Sequence, residues 1–166
     1  MAIEIHKTPI NAPAFQGDGS GLTNVGSSAL NPLVQQVKQV TLTAAQLIAM
    51  KATPQSIIPA PGAGKVIIVD AILFQFKNGG TVFTGGGAIS FVYHGTAVTP
   101  HTGTIAASIL TTNAPDLQYL GPNVSGAVDL QNEINLGLDI TNATAAFAAG
   151  NGTAIVTVWY SVATLG

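Results

Sequence analysis

The 166-residue sequence has no cysteine and no arginine. Without cysteine there are no disulfides, thiolate metal ligands or thiol nucleophiles. Charge of either sign is scarce: 7% of residues are charged, against about 25% in an ordinary globular domain. Five lysines and seven acids give a net charge of −2 and form no run. Nucleic acid needs clustered cations to neutralise phosphates, so it is not an expected partner. Long apolar runs are also missing. Mean hydropathy is +0.44, yet no stretch reaches the ~18 apolar residues of a membrane helix. The opening Met1–Lys7 carries no apolar run of the signal-peptide kind. The sequence therefore predicts a soluble chain with no membrane partner.

At this length one domain can bury roughly two-thirds of its unfolded surface. With so little charge, that surface must be covered by Thr, Asn, Ser, Gln and Gly or be buried against partners. The most apolar stretch is Lys65 to Phe76, and Val66–Phe74 contains a single polar residue, Asp70. Pro61-Gly62 and Asn78-Gly79-Gly80 bound it, and the β-branched run Val66-Ile67-Ile68-Val69 disfavours helix. A continuous apolar run of this kind predicts a strand buried on both faces. Asp70 within it calls for a structural hydrogen-bond donor, a backbone amide or a lysine at a subunit interface.

Residues 1–33 differ from the rest. Ile3 and Ile5 alternate with Glu4 and His6, enough for a short strand. Pro9, Pro13 and a run of Gly, Ser and Asn then break all periodicity. Phe15, Leu22 and Val25 are its apolar anchors, too few to offset the ordering entropy of an independent fold. The segment is expected to be an arm that attaches to neighbouring protein through those three side chains.

From Val34 the composition shifts to a body, 34–166. Thr43-Ala44-Ala45-Gln46 is a capping box and predicts a short helix over Ala44–Lys51, ended by Pro54. Strands are expected at Ser56–Ile58 and Ile89–Tyr93, in the Thr104–Leu110 region, at Leu117–Leu120 and Ala127–Leu130, and over Ile134–Ile140, which has the cleanest two-residue period. In Ala154–Val162 the alternation puts Val156, Val158, Tyr160 and Val162 on one face and Ile155, Thr157 and Trp159 on the other. Val158, Trp159 and Tyr160 are candidate core or subunit-interface residues. Eight or so strands, Gly/Pro/Asn turns and one short helix describe an all-β antiparallel sandwich, jelly-roll-like, with an extended N-terminal arm.

Two stretches carry a resemblance. Phe15-x-Gly17-Asp18-Gly19-Ser20-Gly21-Leu22-Thr23-Asn24-Val25 resembles a motif that recurs in tail fibres and other virion proteins of tailed bacteriophages, and also in bacterial surface proteins. Thr53-Pro54 through Lys65-Val69, with Gly150-Asn151-Gly152-Thr153-Ala154 near the end, is similar to small phage structural proteins with a jelly-roll-like C-terminal domain. The resemblance implies a repetitive, often trimeric assembly and no catalytic motif.

Candidate chemistry is thin. Pro61-Gly62-Ala63-Gly64-Lys65 lacks the first glycine of a phosphate loop, where Pro59 stands, and the Ser or Thr after lysine, where Val66 stands. Asp18 alone cannot supply the oxygens calcium takes. His6, His94 and His101 have no ligand spacing. Glu4, Asp18, Asp70, Asp116, Asp129, Glu133 and Asp139 show no catalytic pairing, and no serine sits in a nucleophile elbow. The expectation is a non-enzymatic protein without metal or cofactor: a homotrimeric virion component assembled in the host cytoplasm. As a capsid decoration (cement) protein its arm would hold the major capsid protein or another virion protein. The alternatives are a tail-fibre or baseplate component with a receptor-binding head, and a carbohydrate-binding jelly roll stacking sugars on Trp159, Tyr93 or Tyr119.

Overall fold

The structure, a computed structural model, describes residues 35–97, 99, 103–113, 116–121 and 130–165. All of them belong to the unit Asn31–Gly166. The expected arm with Phe15, Leu22 and Val25, and most of the strand expected at Ala127–Leu130, lie outside the described residues.

The strands are β1 (Gln36–Leu42), β2 (Gln55–Ile58), β3 (Lys65–Lys77), β4 (Thr84–Gly85), β5 (Ile89–Tyr93), β6 (Asp116–Leu120), β7 (Leu138–Asn142), β8 (Phe147–Ala148) and β9 (Thr153–Thr164). Between them lie helix α1 (Ala44–Ala49), the helical turn α2 (Ser108–Thr111) and a 3-10 turn at Gln131–Glu133. The capping box forms as the sequence predicts: the Gln46 amide donates to Thr43 Oγ1 at 3.3 Å, and the Thr43 amide donates to Gln46 Oε1 at 2.9 Å.

All pairings among the described residues are antiparallel. One sheet has the order β1-β9-β3-β6, a second β2-β7-β5, and β4 pairs with β8 alone. Ile105 bridges back to Ile89 at the edge of the second sheet. With β4–β8 set aside and Ile105 taken as the fifth strand, the first sheet holds strands one, eight, three and six. The second holds two, seven, four and five. That alternation is the jelly roll.

The core lies between the sheets. Val156, Val158, Ile72, Phe74 and Phe76 face Phe91, Tyr93, Leu138 and Ile140, all buried. At one end Phe83 stacks edge-on against Phe76 and Phe147, with ring centroids 6.0 and 6.2 Å apart. Gly150 sits at φ +86°, where a β-carbon would lie 2.5 Å from Phe83 Cγ, so glycine is required there both for its conformation and for the close approach of the ring.

Two expected strands are different. In the Thr104–Leu110 region only Ile105 bridges, and the chain then coils into α2. Ile105, Ile109 and Leu110 are all buried, and the spacing of Ile105 and Ile109 is that of a helix face. Over Ile134–Ile140 the strand starts only at Leu138. The 3-10 turn precedes it, and Asn135 adopts φ +60°, a conformation asparagine tolerates better than most residues. Asn135 also accepts from the Gly62 amide at 2.9 Å through Oδ1, and its own amide donates to Lys65 O at 2.8 Å. The apparent two-residue period there came from a loop.

Candidate functional site

Over Ala154–Trp159 β9 alternates regularly: Ala154, Val156 and Val158 point into the core, while Ile155, Thr157 and Trp159 point to the outer face. Its neighbour β3 does not. Val69 pairs with Tyr160 and Ala71 with Trp159, so Asp70 is an extra residue with no partner of its own. This β-bulge shifts the phase of the strand. Ile67 and Val69 face the core before it, and Ile72, Phe74 and Phe76 after it. Two alternating segments joined by a one-residue slip read as one continuous apolar run. The expected burial on both faces holds only in the first half of β3, at Val66 and Ala71, because Gln75 and Lys77 are exposed.

The bulge places Asp70 on the outer face of the four-stranded sheet, half-buried. Its partner is Gln35, whose Nε2 donates to Asp70 Oδ2 at 3.1 Å. Within the chain the donor is thus a side-chain amide, and nothing in the local sequence marked Gln35. With Ala71, Tyr119 and Trp159 these residues line a depression of about 360 Å³. Its floor is low because Ala71 is small and Gly121 follows β6. The ring of Tyr119 leans toward Gly121, whose β-carbon position would lie 3.4 Å from Tyr119 Cε1.

The same face continues as cross-strand rows. Val37, Trp159 and Ala71 are in register, as are Gln39, Thr157, Leu73 and Tyr119, and Thr41, Ile155, Gln75 and Leu117. Val37, Leu117 and Tyr119 are 59, 56 and 63% exposed. No charged residue stands in these rows; on this face β3 carries Asp70 at the bulge and Lys77 at the far end.

Two polar clusters lie in or around the second sheet. His94 Nδ1 is 2.6 Å from Asp139 Oδ2, the histidine largely exposed and the carboxylate buried. The Tyr93 hydroxyl donates to Ile67 O at 2.7 Å. Burial, together with the negative charge of Glu133, pushes its pKa up to about 12. Glu133 is itself buried, and its Oε2 has no hydrogen-bond partner.

Val158 is a core residue, while Trp159 and Tyr160 are half-exposed on opposite faces of β9. Tyr93 is corrected as a sugar platform: it is 1% exposed, with its ring in the core. Tyr119 and Trp159 converge on one depression, which spacing along the chain did not reveal. The Gly62–Lys65 turn is the tight turn expected, with the Lys65 amide donating to Gly62 O at 3.2 Å. No group of three His, Cys, Asp or Glu side chains among the described residues is placed to hold a metal ion. Among them, too, no helix is long and apolar enough to cross a membrane.

No family model matches the chain, and no curated protein matches it. Among solved structures, one match is a chain described as "KBV activated particle at acidic pH". It has 12% identity and a TM-score of 0.26, over 99% of this chain and 82% of that one. A TM-score this low does not establish a shared fold.

Proposed function

We propose that this chain is a structural protein of a tailed-phage virion, a homotrimeric capsid decoration protein whose residues 1–33 attach it to the major capsid protein or another virion protein. The observation that carries the reading is the outer face of the four-stranded sheet, a wide surface almost without charge that exposes Val37, Leu117 and Tyr119. Surfaces of that kind mark contact with other macromolecules. The low charge of the whole chain supports assembly with copies of itself, and the Gly17–Thr23 motif supports a phage particle as the setting. The role is binding and assembly rather than catalysis.

The test uses the full chain and a variant lacking residues 1–33. Light scattering of the full chain should give three times the 16.8 kDa monomer mass. The truncated body should melt as the full chain does but lose binding to undecorated particles, and Phe15→Ala should weaken that binding. Electron microscopy should then place the protein at local threefold positions on the capsid. Density at the tail tip would favour the receptor-binding alternative. A body that binds at full strength without its arm would overturn the attachment role.

A further inference from the structure

We propose that the depression at the β3 bulge is a saccharide-binding subsite that takes one neutral pyranose ring. This does not rest on the virion reading, and it requires that the bulge end of the outer face stay open when the chain assembles. Trp159 on β9 and Tyr119 on β6 are separated by the single strand β3 and offset by two residues along it, so their backbones stand roughly 12 Å apart. Ala71, opposite Trp159 and diagonal to Tyr119, lines the depression with them, and its small side chain leaves the gap open. Each ring offers an apolar body with a polar tip. A pyranose has matching parts: C–H groups that lie on an aromatic ring, and a rim of hydroxyls.

The polar end of the depression selects among ligands. Asp70 uses Oδ2 to accept from Gln35, and Oδ1 takes no hydrogen bond from a described residue. The Gln35 side chain, which also lines the depression, carries a carbonyl oxygen that can accept as well. Hydroxyl groups donate and accept at once, so they satisfy a carboxylate and a carboxamide side by side. An anionic ligand would be repelled by Asp70. A purely apolar ligand would cover the carboxylate without giving it a partner, which is costly. The volume, about 360 Å³, lies at the small end of ligand sites.

The bulge is what creates this arrangement. A regular β3 would leave no extra residue between Val69 and Ala71, and bulges commonly re-aim one side chain at a site. Here the re-aimed side chain is the carboxylate that closes the open end of an aromatic pair.

Trp159 is the only tryptophan in the chain, so fluorescence excited selectively at the indole, at about 295 nm, reports on this site. The probes are the methyl glycosides of glucose, galactose, mannose and N-acetylglucosamine, with glycerol as a polyol that has no ring. At least one glycoside should give a saturable change with a Kd of order millimolar, while glycerol gives none. Asp70→Asn and Tyr119→Ala should each weaken binding at least ~tenfold, and Lys77→Gln, at the far end of the same face, should leave it unchanged. Tyr119 is 63% exposed, so its replacement keeps the fold even if the bulge does not tolerate the change at Asp70.

No saturable change with any of the four glycosides would overturn the proposal. So would a response that survives both Asp70→Asn and Tyr119→Ala. Acrylamide should quench Trp159 in the assembled protein; a shielded Trp159 would mean that another copy of the chain covers the depression, and would equally overturn it.

Discussion

The Tyr93 hydroxyl donates to the main-chain oxygen of Ile67 across 2.7 Å, tying β5 of one sheet to β3 of the other through the buried interior. A buried hydroxyl must find such a partner, because leaving either group unpaired away from water is costly. The bond therefore fixes how the two sheets sit on one another as well as adding to stability.

Tyr93→Phe is expected to cost about 1–2 kcal/mol in denaturant unfolding. The burial of Tyr93 also shapes alkaline stability. In the folded protein the Tyr93 pKa is raised from 10.0 to about 12, first by burial and then by the charge of Glu133. Above pH 10 the unfolded chain releases the phenolic proton while the folded chain keeps it, so the unfolded state binds fewer protons and stability falls with rising pH. The contribution is fully present below pH 10 and is lost by about pH 12, roughly 3 kcal/mol at most. Urea titrations across that window should show the decline in wild type and a flatter curve in Tyr93→Phe.

Deleting Asp70 removes the extra residue of the bulge. The strand must then turn either Ile67 and Val69 or Ile72, Phe74 and Phe76 out of the core, since a one-residue slip exchanges the faces. Deletion should abolish cooperative melting. Asp70→Ala keeps the residue count and should cost only about 1 kcal/mol, the net worth of a hydrogen bond. Cooperative melting of the deletion variant near the wild-type temperature would show that the bulge does not set the phase.

Val158 and Trp159 are adjacent but face opposite ways. Val158 is fully buried, and Val158→Asp places a carboxylate in an apolar core, expected to cost more than ~4 kcal/mol. Trp159→Ala removes a half-exposed ring and should cost less, about 1–2 kcal/mol, well below the range for a buried aromatic. Equal losses in thermal melts would mean that a partner covers the outer face.

Gly150 and Gly95 separate backbone strain from crowding. Both have positive φ, +86° and +76°, but a β-carbon at Gly150 meets the Phe83 ring and one at Gly95 meets nothing within 4 Å. Gly95→Ala should cost about 1 kcal/mol from conformation alone. Gly150→Ala should cost at least about 2 kcal/mol more, since Phe83 and its stacked neighbours would have to move. Similar melting temperatures for the two variants would count against a tightly packed Phe76–Phe83–Phe147 cluster.

Local chemistry by itself determined several elements of this protein. The Thr43–Gln46 capping box needs only residues three apart, and the alternation of β9 needs only its own side chains and one buried face. The turn at Gly62–Gly64 follows from residues that tolerate positive φ. Other features depended on contacts between distant parts of the chain. Whether Ile134 and Leu136 belong to a strand was decided by Asn135, whose left-handed backbone is held by bonds to Gly62 and Lys65. The apolar run of β3 looked buried on both faces because a bulge is invisible until a partner strand shows which residue lacks a mate. Tyr93 and Tyr119 are both strand tyrosines in the sequence. One faces the opposing sheet and the other solvent, and only the sheet order settles which. The depression joins Gln35, Asp70, Tyr119 and Trp159 from elements far apart in the chain. It exists because β9, β3 and β6 are neighbours, and adjacency of strands is a property of long-range pairing that no short stretch encodes.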